Sequence, residues 1–123
     1  MSWRDYVCKK LPGTTDLGPE SEIFHLFNPK SGEAIRTETL YTLAPEYAAN
    51  PEAISDDLKV YIDAIADYAP SSPNDLALAQ IKSRTIHLAI PDLTSPVEWR
   101  YIFRAELYAN RRKVSMIVTR IRE

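Results

Sequence analysis

Three groups of side chains in this sequence have types and spacings that could do more than fold. The first is acidic: Asp56, Asp63 and Asp67 lie in a segment with helical periodicity. Asp63 and Asp67 are one turn apart and repel each other. Asp67 also falls in the last turn, where the helix dipole favours a cation by about 0.3–1 kcal/mol. A basic group must offset this. An arginine of the same chain is the simpler source, and a basic surface on another chain is the functional alternative. No His or Cys stands close enough in sequence to complete a metal set, so no metal is expected.

The second group is basic. Arg111, Arg112 and Lys113 follow Asn110, with Arg100 and Arg104 shortly before them. Three adjacent cations can hold phosphate or an acidic protein surface. Trp99, Tyr101, Phe103 and Tyr108 are close by, the elements of a base-stacking platform. Two facts weigh against a dedicated nucleic-acid binder. The first three aromatics share the face expected to be buried, and the pI is about 5.7.

The third group is His25 and His87. Neither belongs to an HxxxH or HExxH pattern, and Cys8 has no second cysteine to join it. Each reads as a structural strand histidine rather than a catalytic one. No GxSxG elbow is present, and three glycines in the whole chain cannot build a phosphate-cradling loop. The sequence therefore nominates no catalytic residue and no cofactor.

The totals frame these groups. The 123 residues fit one domain, 1–123, with 45% apolar and 26% charged residues. No apolar run is long enough for a membrane helix, and there is no signal-peptide h-region, which points to a cytoplasmic protein. The net charge of −2 is unevenly spread. Residues 97–123 carry seven basic and three acidic groups, a surplus of +4, which leaves −6 on residues 1–96. Such a division can align an oppositely charged partner or simply neutralise itself within one fold.

The elements follow from period and punctuation. Residues 51–69 read as one long amphipathic helix, with Asn50 as cap, Pro51 in its first turn and Pro70 ending it. Ile54, Leu58, Tyr61, Ile62, Ile65 and Ala69 form its apolar stripe. Ser2 caps a short helix that runs to about Lys10. Residues 22–27 and 34–42 read as a hairpin about the Asn28–Glu33 turn, although 22–27 could also be helical. Residues 76–81 fit either a helical turn or a strand. Residues 82–90 alternate, with Ile86, Leu88 and Ile90 on one face and Thr85 and His87 on the other.

Val97–Tyr108 alternates strictly and reads as a strand, followed by a tight turn at 110–112 and a last strand greasy on both faces. The sum is an α+β fold: an antiparallel sheet of about five strands, one long helix on one face and a short N-terminal helix. With no active-site motif and a two-faced last strand, the expected role is a non-enzymatic structural or assembly subunit, such as a phage or mobile-element particle component. It would act through protein contacts, as a homo-oligomer or in a larger assembly, at Asp56, Asp63, Asp67, Arg100, Arg104, Arg111, Arg112 and Lys113. The alternatives are a small inhibitor of a host protein and a nucleic-acid module using the 111–113 turn.

Overall fold

The computed structural model describes residues 1–122. Its elements run α1 (Trp3–Lys10), β1 (Thr15–Asp16), β2 (Leu26–Asn28), β3 (Glu33–Thr39), α2 (Pro45–Ala49), α3 (Glu52–Ala66), β4 (Ser83–Pro91), α4 (Pro96–Arg111) and β5 (Ser115–Ile121), with a 3₁₀ turn at Leu78–Gln80. The α+β class with five strands holds. Three details of the expected arrangement change, and one segment causes them.

Val97–Tyr108 is helix, not strand. The Ser95 hydroxyl accepts from the Glu98 N–H at 3.2 Å, and the Glu98 carboxylate accepts from the Ser95 N–H at 2.8 Å. Pro96 fills the first turn of this capping box. Glu98, Ile102, Ala105 and Ala109 recur at helical spacing and are buried. Arg111 belongs to the same helix, Arg112 is its C-cap and Lys113 turns the chain at φ 60°, so residues 110–112 are no hairpin turn.

With α4 helical, the chain runs strand–helix–strand–helix–strand from β3 to β5. The strands lie in the order β1-β2-β3-β4-β5. The first three are antiparallel, whereas β3–β4 and β4–β5 are parallel, in registers such as Ile35↔Thr85 and Leu88↔Val118. Parallel neighbours need crossover helices, and α3 and α4 supply them. The sheet is thus mixed rather than antiparallel throughout, and two long helices cover it rather than one. The fifth strand is not 97–108 but the two-residue β1, which lies ahead of the expected hairpin.

The main core lies between α3, α4 and one sheet face. Ile54, Leu58, Ile62 and Ile65 meet Ile86, Leu88 and Ile90 of β4 and Ile102, Ala105 and Ala109 of α4. The opposite face is partly covered by α1, whose Val7 packs on Leu26 and Ile35. The Trp3 indole N–H donates to the His87 carbonyl at 2.9 Å, tying α1 to β4. The long helix begins at Glu52 rather than under an Asn50 cap; Asn50 instead closes α2.

The β2–β3 turn is held by Asn28, whose side chain accepts from the Lys30 and Ser31 N–H groups. Gly32 closes it at φ 75°, and a Cβ there would lie 2.3 Å from Lys82 Cγ. Gly32→Ala is expected to cost about 1–2 kcal/mol in urea unfolding, from left-handed strain plus displacement of Lys82.

Candidate functional site

Two sets of partly buried polar groups hold the 17–25 loop, one beneath α1 and one on the α3 side of β3. Arg4 projects from α1, and Asp16, in β1, faces it. The Arg4 Nε and Nη2 groups donate to the Asp16 carboxylate at 3.0 and 2.6 Å. The same Nη2 donates to the carbonyls of Gly18 and His25, at 2.9 and 3.1 Å. A second guanidinium approaches the loop from β3. Arg36 Nε and Nη2 meet the Glu38 carboxylate at 2.8 and 2.6 Å. Its Nη1 donates to the carbonyls of Glu22 and Ile23 at 3.0 and 3.2 Å. The Arg36 guanidinium also stacks over the Tyr61 ring of α3, 5.0 Å from its centroid.

His25 sits in the loop that both arginines hold. The backbone N–H of Thr37 donates to its Nδ1 at 3.1 Å, and the Thr37 hydroxyl lies 2.8 Å from the same nitrogen. An N–H donor requires a lone pair on Nδ1, so the neutral ring carries its proton on Nε2. Burial, and then the positive charges of Arg36 and Arg4, push the His25 pKa down to about 4. His25 is therefore a neutral donor above that pH, not a poised base. Burial lowers the His87 pKa as well.

This shift has a stability consequence. The unfolded chain binds a proton at His25 near pH 6.5 and the folded one only near 4, so stability falls as pH drops through that window. The loss at His25 is expected to reach about 2 kcal/mol, discounted for its partial exposure. Denaturant titrations at pH 7 and pH 4.5 measure it, and His25→Gln is expected to flatten the slope, leaving the share due to His87.

The residues nominated from sequence are distributed differently. Asp63 and Asp67 do meet a basic group, and it is intrachain: Arg112 donates to both carboxylates, and the Tyr108 hydroxyl joins Asp63. This is the simpler of the two sequence readings. Asp56 is exposed on α3, away from this cluster. Arg100, Arg104 and Arg111 are exposed and share the outer side of α4, where Arg104 lies over the Tyr101 ring at 4.9 Å. Phe103, expected inside, is exposed on the same helix, and Trp99 leans on it. Lys113 and Arg112 line a hollow with Lys82 and Arg84, at the beginning of β4 and the end of α3. Arg84 is committed there to the carbonyls of Ile65 and Ala66.

A mixed five-stranded sheet, two crossover helices on one face, a lone helix on the other and polar groups at the antiparallel end define an α+β domain. Residues 1–119 match the family model of the CDI toxin restriction endonuclease-like domain, and the chain belongs to that family. It is 33% identical to deoxyribonuclease CdiA-o11 of Escherichia coli O157:H7 (strain EC869) and 28% identical to deoxyribonuclease CdiA of Yersinia pseudotuberculosis serotype O:3 (strain YPIII). Each match covers 99% of this chain, but the chain spans only 33% and 12% of those relatives. The toxin of the CdiA-CT/CdiI toxin and immunity complex from Yersinia pseudotuberculosis superposes with a TM-score of 0.87 at 28% identity, over 98% of this chain and 99% of that one.

These findings overturn the expectation of a structural or assembly subunit without chemistry, and the phage-particle setting with it. They equally replace the host-protein inhibitor. The expected homo-oligomer has no support among them, whereas a protein partner of another kind does. No motif in the chain announces a nuclease, and the absence of a motif does not exclude chemistry.

Restriction-endonuclease-like folds call to mind a divalent ion, which stabilises the attacking and leaving oxygens of a phosphodiester. Neither polar set fits one. Asp16 and Glu38 are each already paired to a guanidinium. Among the described residues no three His, Cys, Asp or Glu side chains are placed to hold a metal.

Proposed function

We propose that this chain is a DNA-cleaving toxin domain whose natural protein partner is an immunity protein. One observation carries the reading: the family match spans residues 1–119, in a fold that superposes over nearly the whole of a CDI toxin domain. With DNA as its substrate, the domain would act in the cytoplasm. The reaction adds water across a phosphodiester, breaking one P–O bond and leaving a phosphate on one end and a hydroxyl on the other.

The charge distribution supports a polyanionic substrate despite the acidic pI. Arg100, Arg104 and Arg111 form a cationic row along the exposed side of α4, and Lys113 and Lys82 border the hollow just beyond its end. Such groups contact phosphates and position a duplex without reading its sequence. On α3, Arg112 engages Asp63 and Asp67 and offsets one of their two charges.

The decisive experiment incubates the purified chain with supercoiled plasmid and follows nicking and linearisation. Cleavage that an immunity protein co-expressed with the chain suppresses is the expected result. Intact plasmid under all ionic conditions overturns the reading. In the same preparation, neutralising Arg100, Arg104 and Arg111 together is expected to reduce the slope of log affinity against log salt by about one per lost phosphate contact.

A further inference from the structure

We infer that the hollow where α3 ends and β4 and β5 begin is a binding site for a terminal phosphate, the phosphomonoester at the end of a DNA strand. The inference deepens the nuclease reading and rests on it for what carries the phosphate. The hollow has a volume of about 310 Å³. Four of its lining side chains are cations, Lys82, Arg84, Arg112 and Lys113, and Ser83 stands among them. No carboxylate is among the lining residues. Asp63 and Asp67 reach Arg112 from α3, and with both counted two positive charges remain in excess.

These groups are held in place. Arg84 Nη1 donates to the Ile65 and Ala66 carbonyls at 2.7 and 2.8 Å, which fixes the guanidinium. Its Nε and Nη2 have no acceptor among the described residues, and together they form the fork that grips two phosphate oxygens. The Lys82 stem lies against Gly32, where an added Cβ would come within 2.3 Å of its Cγ. Lys113 sits at φ 60°, a conformation that glycine or asparagine adopts at less cost, so the turn itself does not call for lysine. Neither ammonium has an acidic partner among the described residues. A phosphodiester within a duplex carries one charge and has sugar on both sides, so it suits the open row along α4. A phosphomonoester carries close to two charges at neutral pH and has chain on one side only, so it can enter a concavity. The excess charge and the concave wall select the second. Each cut of the kind proposed above makes one such end, and the hollow retains the strand that bears it.

Short duplexes of a single sequence test this, made with a cleavage-resistant phosphorothioate backbone and carrying a 5′-phosphate, a 3′-phosphate or neither. Their binding to the wild-type chain is followed by fluorescence anisotropy and by NMR amide shifts. A phosphorylated end is expected to tighten binding about tenfold, the size of one charge-assisted contact, and to shift the amides of Lys82, Ser83 and Lys113. Lys82→Gln combined with Lys113→Gln is expected to erase that preference while the urea midpoint stays in place, since both side chains are exposed. A preference for either phosphorylated end supports the inference and says which end is held. Equal affinity for all three duplexes, or a preference that survives in the double variant, overturns it. Shifts at these amides with inorganic phosphate but not with a phosphorylated duplex would make a free phosphate compound the occupant. Equal shifts with acetate would mark a generic cation cluster. Either result also overturns it. No readout here requires cleavage, so an intact plasmid defeats the nuclease reading alone, and a missing end preference defeats this one alone.

Discussion

Ile102→Ala is expected to destabilise the domain by about 2–5 kcal/mol, and Phe103→Ala, its neighbour, by less than about 1 kcal/mol. Ile102 is 1% exposed and sits on the buried stripe of α4, against α3 and the sheet. Truncating it removes transfer energy and leaves a void lined by branched side chains that cannot close over it. Phe103 is 54% exposed, and its loss forfeits only the contact with Trp99. A strand over 97–108 would reverse the order, with Phe103 inside and Ile102 out. Urea midpoints of the two variants therefore separate helix from strand at this segment without any structural measurement. Equal costs, or a larger one at Phe103, would refute the architecture.

The second large effect is at Arg36. Arg36→Ala is expected to cost about 3 kcal/mol, because it strands the Glu38 carboxylate and removes a donor from the carbonyls of Glu22 and Ile23. The Arg36 and Glu38 side chains are only 15% and 17% exposed, so water repairs little of the damage. Arg36→Lys is expected to recover only part of this. An ammonium keeps the charge but lacks the planar fork that spans Glu38 and the loop together. The double change Arg36→Ala with Glu38→Ala measures the coupling, and it is expected to be milder than the sum of the two single changes. Additive costs would mean that the pair is incidental to the clamp.

Much of the architecture could be read from sequence where one signal acted alone. The Ser2 cap, the Asn28–Gly32 turn, the stripe of Ile54, Leu58, Ile62 and Ile65, and the two-sided β4 pattern all stand as expected. The failure at 97–108 has a specific cause. Aromatic and charged residues alternate there by accident, whereas the true buried stripe is Glu98, Ile102, Ala105 and Ala109, of which only one is large and apolar. The signal that would have corrected it is the Ser95-Pro96-Val97-Glu98 start, a capping box with proline in place. Once that helix is missed, the parallel pairing of β4 and β5 cannot be inferred either. The site was harder still. Arg36 and Glu38 share a strand face by the two-residue period, but Arg4, Asp16 and His25 follow no spacing rule, and only the folding of α1 onto the sheet brings them together. His25 drew notice as a lone strand histidine, and its tautomer is fixed by a backbone group that no sequence pattern reveals.

The indole bond from Trp3 to a carbonyl 84 positions away joins the start of the chain to β4. β3 and β4 likewise pair across the whole of α3, and β5 docks only after α4 has returned. Few of these contacts are local, so closure entropy must be met before they reward the chain, and folding is correspondingly slow. A polypeptide released end first gains little until nearly all of it is free. Stopped short of β5, it leaves the parallel edge of β4 open and α4 without its last strand. The final seven-residue strand thus acts as a latch, and the domain remains easy to unravel until it engages.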